Sequence, residues 1–331
     1  MRIRSWTTAD GGCGFYRVRR PFRELSVHGH DTFIPNDAVP VPSVEDVLDT
    51  DVLVAQRVIH AELLPQWNHR RALRPVVFEL DDDIWAIDPD NPALKDYLHP
   101  SVGDLAAEFV ARSDLVTVST APLAERVSAW NPRVQVIPNC IDAAVLELPR
   151  ADRTTDKITI GWSCSTSHVS DLRSVLGPWR EFFGSRPDVE LIIYGVDYRP
   201  MLALPDVRFE PWRPNIMDFY RGIDFDIAVA PLAPLIFNRS KSGNKAIEAF
   251  ARGIPVVASN MEPYRGIVED GVTGYLVDSA EQWAKRLGEL ADDADARAEM
   301  GANARRAAER HVIQGEDNWR RWESAYRSVL R

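Results

Sequence analysis

Lys241, Lys245 and Glu248 stand at i, i+4 and i+7 within FNRSKSGNKAIEAFARGIPVVAS, residues 237–259, a spacing that sets all three side chains on one stripe of a helix. Ahead of the stripe, Ser240, Ser242 and Gly243 are small residues that suit a helix start whose backbone amides stay open to an anion. Behind it, Arg252-Gly253 closes the helix and Pro255 to Ala258 reads as a buried strand. Lys and Glu at such spacings also form ordinary surface ion pairs worth only about 0.3–0.5 kcal/mol. The order of the pieces argues for more: a short apolar strand (Ile227 to Ala230), a polar loop through Asn238, the charged helix, then a second strand. In an open α/β sheet, ligands sit where strands end and helices begin. Two cations and a carboxylate at that place suit a ligand with both phosphate and hydroxyl groups, as in a sugar nucleotide.

Three further segments carry chemistry. Asp81-Asp82-Asp83 follows the buried run PVVFEL. Adjacent carboxylates at a strand end repel one another unless a ligand, a cation or hydrogen-bond donors answer them, and capping of the next helix occupies one of them at most. Gly11-Gly12-Cys13-Gly14 follows the first strand, IRSW, and lets a loop approach a ligand closely, but it lacks the full dinucleotide fingerprint. Arg17 just beyond it could meet a phosphate or an acceptor, or pair with Glu24 or the acidic run. Gly161 to His168, with Ser163 and Ser165, can cradle phosphate through hydroxyls and amides at a helix start, and His168 could instead begin that helix. Asn139 and Asp142 in IPNCID suit a turn for structural reasons alone.

The elements that must position these groups follow from patterning. A length of 331 residues with 45% hydrophobic content and ten tryptophans supports two domains with two cores. Continuous apolar runs alternate with helical patterns: 51–55, 75–80, 115–118, 134–137, 157–161, 190–194, 227–230 and 255–258. Unbroken runs of this kind suit parallel sheets covered on both faces, so the expected class is α/β. The pattern breaks at Pro149, Arg150 and ADRTTD, which predicts domains over 1–148 and 149–312 and a final helix, 313–331, packing back on the first domain through Trp319, Trp322 and Tyr326. Tyr194-Gly195 and Pro211-Trp212 close two strands of the second half. The net charge of -10 disfavours a nucleic-acid partner, and the patch Arg17, Arg19, Arg20 and Arg23 reads mainly as a solvated helix face. No run reaches the roughly 18 apolar residues of a membrane span, and MRIRSWTTAD lacks a signal-like apolar stretch, which points to a cytoplasmic protein. Cys13, Cys140 and Cys164 are expected as reduced thiols, with no zinc-like spacing.

With these pieces in order, the chain resembles the GT-B glycosyltransferases, in particular the retaining group often called glycosyl transferases group 1. GGCGFYRVRRPFREL, VIPNCID, NKAIEAFARGIPVVAS and EDGVTGYLV carry the likeness. The resemblance implies two Rossmann-like domains facing across a cleft, the acceptor held mostly by the first and a UDP- or GDP-sugar by the second. It implies that Glu248 binds ribose hydroxyls, that Lys245 and Lys241 neutralise the donor diphosphate, and that an aromatic edge near Tyr194, Gly195 and Trp212 stacks on the base. It places Asp82 or Asp83 near the transferred sugar, as a binder of hydroxyls or a general base, with Gly12, Gly14, Arg17 and Asp81 on the acceptor side. Transfer of a hexose needs no cofactor in such enzymes; a divalent ion at the acidic run is the rival reading. The acceptor class, whether glycan, protein, lipid or small molecule, stays open. Two departures stand out: Ser240 replaces a glutamate eight positions before Glu248, and GWSCSTSHVSDL replaces the usual arginine and lysine. A non-catalytic sugar-nucleotide-binding module and an epimerase or hydrolase are the alternatives.

Overall fold

The computed structural model describes residues 1–7, 11–35, 42–92, 101–150 and 155–330. The first half builds a six-stranded sheet in the order β2-β1-β3-β4-β5-β6 from β1 (Arg2–Thr7), β2 (Asp31–Phe33), β3 (Val52–Gln56), β4 (Val76–Leu80), β5 (Leu115–Val118) and β6 (Val134–Val136). The second half repeats the plan in the order β12-β11-β10-β7-β8-β9. Its strands are β7 (Ile158–Cys164), β8 (Val189–Gly195), β9 (Val207–Pro211), β10 (Ile227–Ala230), β11 (Val256–Ser259) and β12 (Gly274–Val277). The pairings are parallel throughout, for example Val54 opposite Val77 and Val229 opposite Val257. The α/β class expected from the unbroken apolar runs is the class observed. Every residue of β3, β4, β5, β10 and β11 is buried, because helices cover both faces.

One core face of the first sheet gathers Trp6, Trp67, Phe78 and Phe109; the other gathers Ile3, Val18 and Phe22 with Trp319, Trp322 and Tyr326 from the last helix (Glu316–Arg327). The chain therefore ends against the sheet with which it begins. Where it leaves the first sheet, Ile141 bridges to Val312 on the returning segment, with backbone bonds from Ile141 N to His311 O and from Ile313 N to Ile141 O, both 2.9 Å. The three cysteines are unpaired, and among the described residues no helix is long and apolar enough to cross a membrane.

In each sheet the strand order turns around next to the strand that opens the domain: β1 lies between β2 and β3, and β7 between β10 and β8. Loops leaving such neighbours depart to opposite sides and open a crevice beyond the carboxyl ends. In the second sheet the crevice is bounded by residues after β7 and after β10. Two details differ from expectation here. β7 runs on to Cys164, so Gly161 lies inside the strand and its role is packing: a Cβ there would stand 2.0 Å from the Phe225 ring. The helix that carries Glu248 spans Asn244–Ala251, with Gly243 at its N-cap, so Lys241 precedes it in a turn. Ser242, Gly243 and Asn244 are weak helix formers, and Asn139 Nδ2 lies 3.1 Å from both Ser242 Oγ and Asn244 Oδ1. The expected closing is present: Gly253 takes φ of 67° and Ile254 N bonds Ala249 O at 3.0 Å.

A buried polar network ties the two sides of this crevice together. His168 begins the helix Val169–Ser185, and its Nδ1 lies 2.6 Å from Asp171 Oδ2. The other Asp171 oxygen accepts from Ala233 N at 2.8 Å and Asn238 Nδ2 at 2.6 Å, across the sheet beyond β10. Burial, followed by the charges of Lys245 and Lys241, lowers the His168 pKa to about 3 from 6.5, so the ring is neutral and donates its Nδ1 proton to the carboxylate. Burial alone would raise Asp171, but the His168 bond and Lys241 outweigh it and hold the group below the usual value.

Two outcomes follow for stability. Gly161→Ala should cost about 1–3 kcal/mol, read as a lower urea midpoint at unchanged slope, because the Phe225 ring cannot yield without disturbing the core. The unfolded His168 takes up a proton near its ordinary value and the folded one does not. Stability is thus fully present above 6.5 and declines as the pH falls toward about 3. The advantage of the wild type over His168→Asn should shrink across that window in urea titrations; a constant difference would show the imidazole to be charged when folded.

Candidate active site between the two sheets

The carboxyl ends of both sheets face a cleft of about 440 Å³. From the first half it receives Gly12, Cys13 and Tyr16 after β1, Asp81 and Asp82 after β4, and Asn139 after β6. From the second it receives Ser163 to His168 at the end of β7, Gly195 after β8, Trp212 and Phe219 beyond β9, and Lys241, Lys245 and Glu248 beyond β10. Of the residues singled out in the sequence, Gly12, Asp81, Asp82, Ser163, Ser165, His168, Gly195, Trp212, Lys241, Lys245 and Glu248 meet here. Gly14, Arg17, Asp83, Gly161 and Tyr194 are not among the residues that line this cleft.

The reasons are physical in each case. Arg17 is fully buried: its Nε bonds Glu79 Oε1 at 2.6 Å, its Nη1 reaches Ile137 O and Asn139 Oδ1, and its guanidinium lies 4.6 Å from the Trp322 ring centroid. Glu79 inside β4 also accepts the Thr117 hydroxyl, so this arginine ties the sheet together and does not reach an acceptor. Gly14 is buried at the end of the short helical turn Gly12–Gly14. Tyr194 is buried beneath the cleft, its hydroxyl donating to Phe219 O at 3.1 Å and its ring stacked on Phe219 at 5.3 Å. Phe219 in turn lies 4.6 Å from Trp212, so Tyr194 supports an aromatic edge made by the other two. Arg20, from the basic patch, is also buried, pairing with Glu24 at 3.3 Å and Asp142 at 3.1 Å.

The three consecutive carboxylates are answered by two arginines. Arg57, one residue past β3, spans Asp81 at 2.7 Å and Asp82. It does so from a left-handed backbone with φ of 51°, a conformation that costs a non-glycine residue about 1 kcal/mol or more. Asp83 turns away from the cleft: it is 1% exposed and accepts from Arg126 Nε and Trp85 N, both at 3.2 Å. Burial raises its pKa, against the opposing charge of Arg126. Asp82 keeps a side-chain exposure of 31% and is the carboxylate of the run most open to a ligand. Cys13 with Asp81 and Asp82 forms a group whose ligand atoms lie within 4.8 Å of one another, although Arg57 already neutralises both aspartates.

Across the cleft the charge is opposite. Lys241 Nζ is buried and makes no hydrogen bond among the described residues; its nearest anion is Asp171 Oδ2 at 3.9 Å, and the Phe237 ring lies 4.9 Å away. Burial lowers its pKa and Asp171 opposes that change. Glu248 is 7% exposed, its pKa raised by burial against the hydrogen bond from Tyr16 and the charge of Lys245. Gly195 takes φ of 119°, and a Cβ there would stand 2.2 Å from Cys164 O, so glycine alone lets the ends of β7 and β8 close the floor. Sequence reasoning missed Tyr16, Arg57, Phe219 and the cleft-lining part of Asn139. The signal for Arg57 was available, since β3 neighbours β4 and a cation past its end faces the acidic run.

Known proteins share the fold of this chain and part of the sequence of its second half. Residues 172–293 match the family model described as Glycosyl transferases group 1. A D-inositol 3-phosphate glycosyltransferase of Thermobispora bispora is 36% identical over 119 residues, 34% of this chain. The chain thus spans about a quarter of that relative's length, 26%. Among solved structures, Anabaena HepE in complex with UDP superimposes with a TM-score of 0.69 at 17% identity, covering 98% of this chain and 99% of that one. A sucrose-phosphate synthase from Thermosynechococcus elongatus superimposes with a TM-score of 0.65 at 15% identity, covering 99% of both chains. The second half of the chain thus resembles the glycosyl transferases group 1 over residues 172–293, and the whole chain shares the two-sheet GT-B fold of these solved structures.

Proposed function

We propose that the protein is a nucleotide-sugar-dependent glycosyltransferase that moves a hexose from a UDP- or GDP-sugar to an acceptor, with retention at the anomeric carbon. The observation that carries this reading is the Lys241 ammonium, buried at the cleft without a hydrogen bond among the described residues, beside Lys245 and Glu248. A buried cation that lacks donors' partners invites an anion with several acceptor oxygens. The diphosphate of a sugar nucleotide supplies such oxygens, and negative charge grows on it as the glycosidic bond breaks. In this reading the diphosphate lies against Lys241, Lys245 and the start of the helix Val169–Ser185, where Ser165 and Ser167 present hydroxyls 3.0 Å apart. Glu248 accepts the ribose hydroxyls, and the base lies on the edge formed by Phe219 and Trp212. Asp82, poised by Arg57, receives hydroxyls of the transferred sugar or the acceptor and is the candidate base. Asp83 is left out of this assignment because Arg126 and Trp85 N occupy it.

The UDP and UDP-glucose held by HepE support UDP-sugars as the first donors to test. Retention is supported by the resemblance of the donor half to group 1 enzymes. The charge on the leaving group is met by ammonium groups and amides, so no resident metal enters the proposal.

Release of nucleoside diphosphate should be measured over a panel of UDP- and GDP-sugars. Glu248→Ala, Lys241→Ala and Lys245→Ala should each lose about 1.5–3 kcal/mol of transition-state stabilisation, roughly 10- to 150-fold in kcat/KM. Absence of binding, hydrolysis and transfer across the panel would remove the proposal, and tight binding without turnover would leave a binding module. Activity should also survive excess EDTA; loss on chelation, restored by a divalent ion, would instead show a metal requirement, with Cys13, Asp81 and Asp82 the ligands to test by substitution.

A further inference from the structure

Glu248 belongs to the second half of the chain, yet its firmest partner comes from the first. Tyr16 Oη donates to Glu248 Oε1 at 2.6 Å, and Tyr220 Oη lies 2.6 Å from Tyr16 Oη. An ionised carboxylate only accepts, and a hydroxyl has one proton, so Tyr16 gives its proton to Glu248 and must accept that of Tyr220. The direction of the relay is thereby fixed, from Tyr220 through Tyr16 to Glu248. Both phenols are buried, at 6% and 1% exposure, and burial raises their pKa values well above the usual range, so they remain donors. Tyr16 is itself held firmly. It lies in a π-helical turn, Phe15–Arg19, between the turn Gly12–Gly14 and the helix Arg20–Val27. The next residue is Arg17, anchored to Glu79, Ile137 and Asn139. Among the described residues no other hydrogen bond reaches Glu248, and the residue lines the cleft, which leaves Oε2 for a ligand.

We propose that Tyr16 is a positioning residue for the donor: it fixes the plane of the Glu248 carboxylate from the opposite domain, so the nucleoside is fully gripped only when the two halves are closed together. This inference rests on the reading of Glu248 as the ribose contact. It also assigns a role to the π-helical turn, whose wider spacing carries the phenol across the domain gap while Arg17 stays in the core. Besides the two phenols, the titratable groups around Glu248 are Lys245 on its own helix, Tyr194 from β8 and Tyr264 from the helix Glu262–Arg265.

The test uses UDP and GDP as probes, with calorimetry of the full chain from about pH 5 to 8. The ratio of variant to wild-type Kd is read at each pH, so titration of the nucleotide itself cancels. Tyr16→Phe should weaken the tighter-binding nucleotide about three- to tenfold at neutral pH. The ratio should widen as the pH falls, because a carboxylate deprived of a donor to its charged form protonates at higher pH. Glu248→Gln should weaken binding as well, and adding Tyr16→Phe to it should bring little further loss. A Tyr16→Phe ratio within about twofold at every pH, with Glu248→Gln still weakened, overturns the role of Tyr16 and leaves the donor reading standing. Glu248→Gln equal to wild type overturns the donor reading, and the inference with it. If Tyr16→Phe does not fold, Tyr220→Phe should show the same pH trend at smaller amplitude, and a flat ratio there overturns the inference.

Discussion

The ammonium of Lys241 sits out of water with one carboxylate 3.9 Å away among the described residues, and the second-half wall of the cleft is arranged to make that possible. Desolvating a cation costs several kcal/mol unless neighbouring charges and dipoles answer it. Asp171 supplies the counter-charge, but it is shared: one oxygen takes His168 and the other takes Ala233 N and Asn238. The network thus keeps the anion in place while leaving the lysine short of acceptors. On the proposed reading an anionic ligand completes this pairing, because a fully satisfied lysine would gain little from a phosphate oxygen. The first half mirrors the design with reversed sign. There Arg57 and Arg126 neutralise the acidic run, and Asp82 keeps an open face.

Much of the fold was legible because parallel strands buried on both faces must be apolar without interruption. The runs at Leu115–Val118 and Ile227–Ala230 coincide with observed strands, and the others differ by a few residues at their ends. β2 was invisible for the converse reason: Asp31–Phe33 is a three-residue edge strand with both end residues exposed, so nothing in DTF demands burial. The helical stripe was half right. Lys245 and Glu248 share the helix, whereas Lys241 reaches the same cleft from the segment before it, where the Asn139 amide bonds Ser242 and Asn244 at the helix start.

What stayed hidden involves partners distant in sequence. Arg17 could be read as meeting a ligand or as pairing with Glu24 or the acidic run, and only the fold reveals Glu79, a carboxylate inside an otherwise apolar strand, as its partner 62 positions away. A glutamate amid PVVFEL was itself a sign that some cation must enter the core. Tyr16 meets Glu248 across 232 positions, and no periodicity within either segment encodes that meeting. Asp83 illustrates the limit from the other side: three like residues in a row carry no local mark of which one a neighbouring arginine will claim.

The two crossings between the halves, at Ile141 and Val312, run alongside each other and are bonded to one another. Bodies joined by two adjacent threads can swing about the line through those threads but resist sliding past each other. A displacement of one half against the other about these threads would therefore be a jaw-like rotation whose amplitude grows with distance from the pivot.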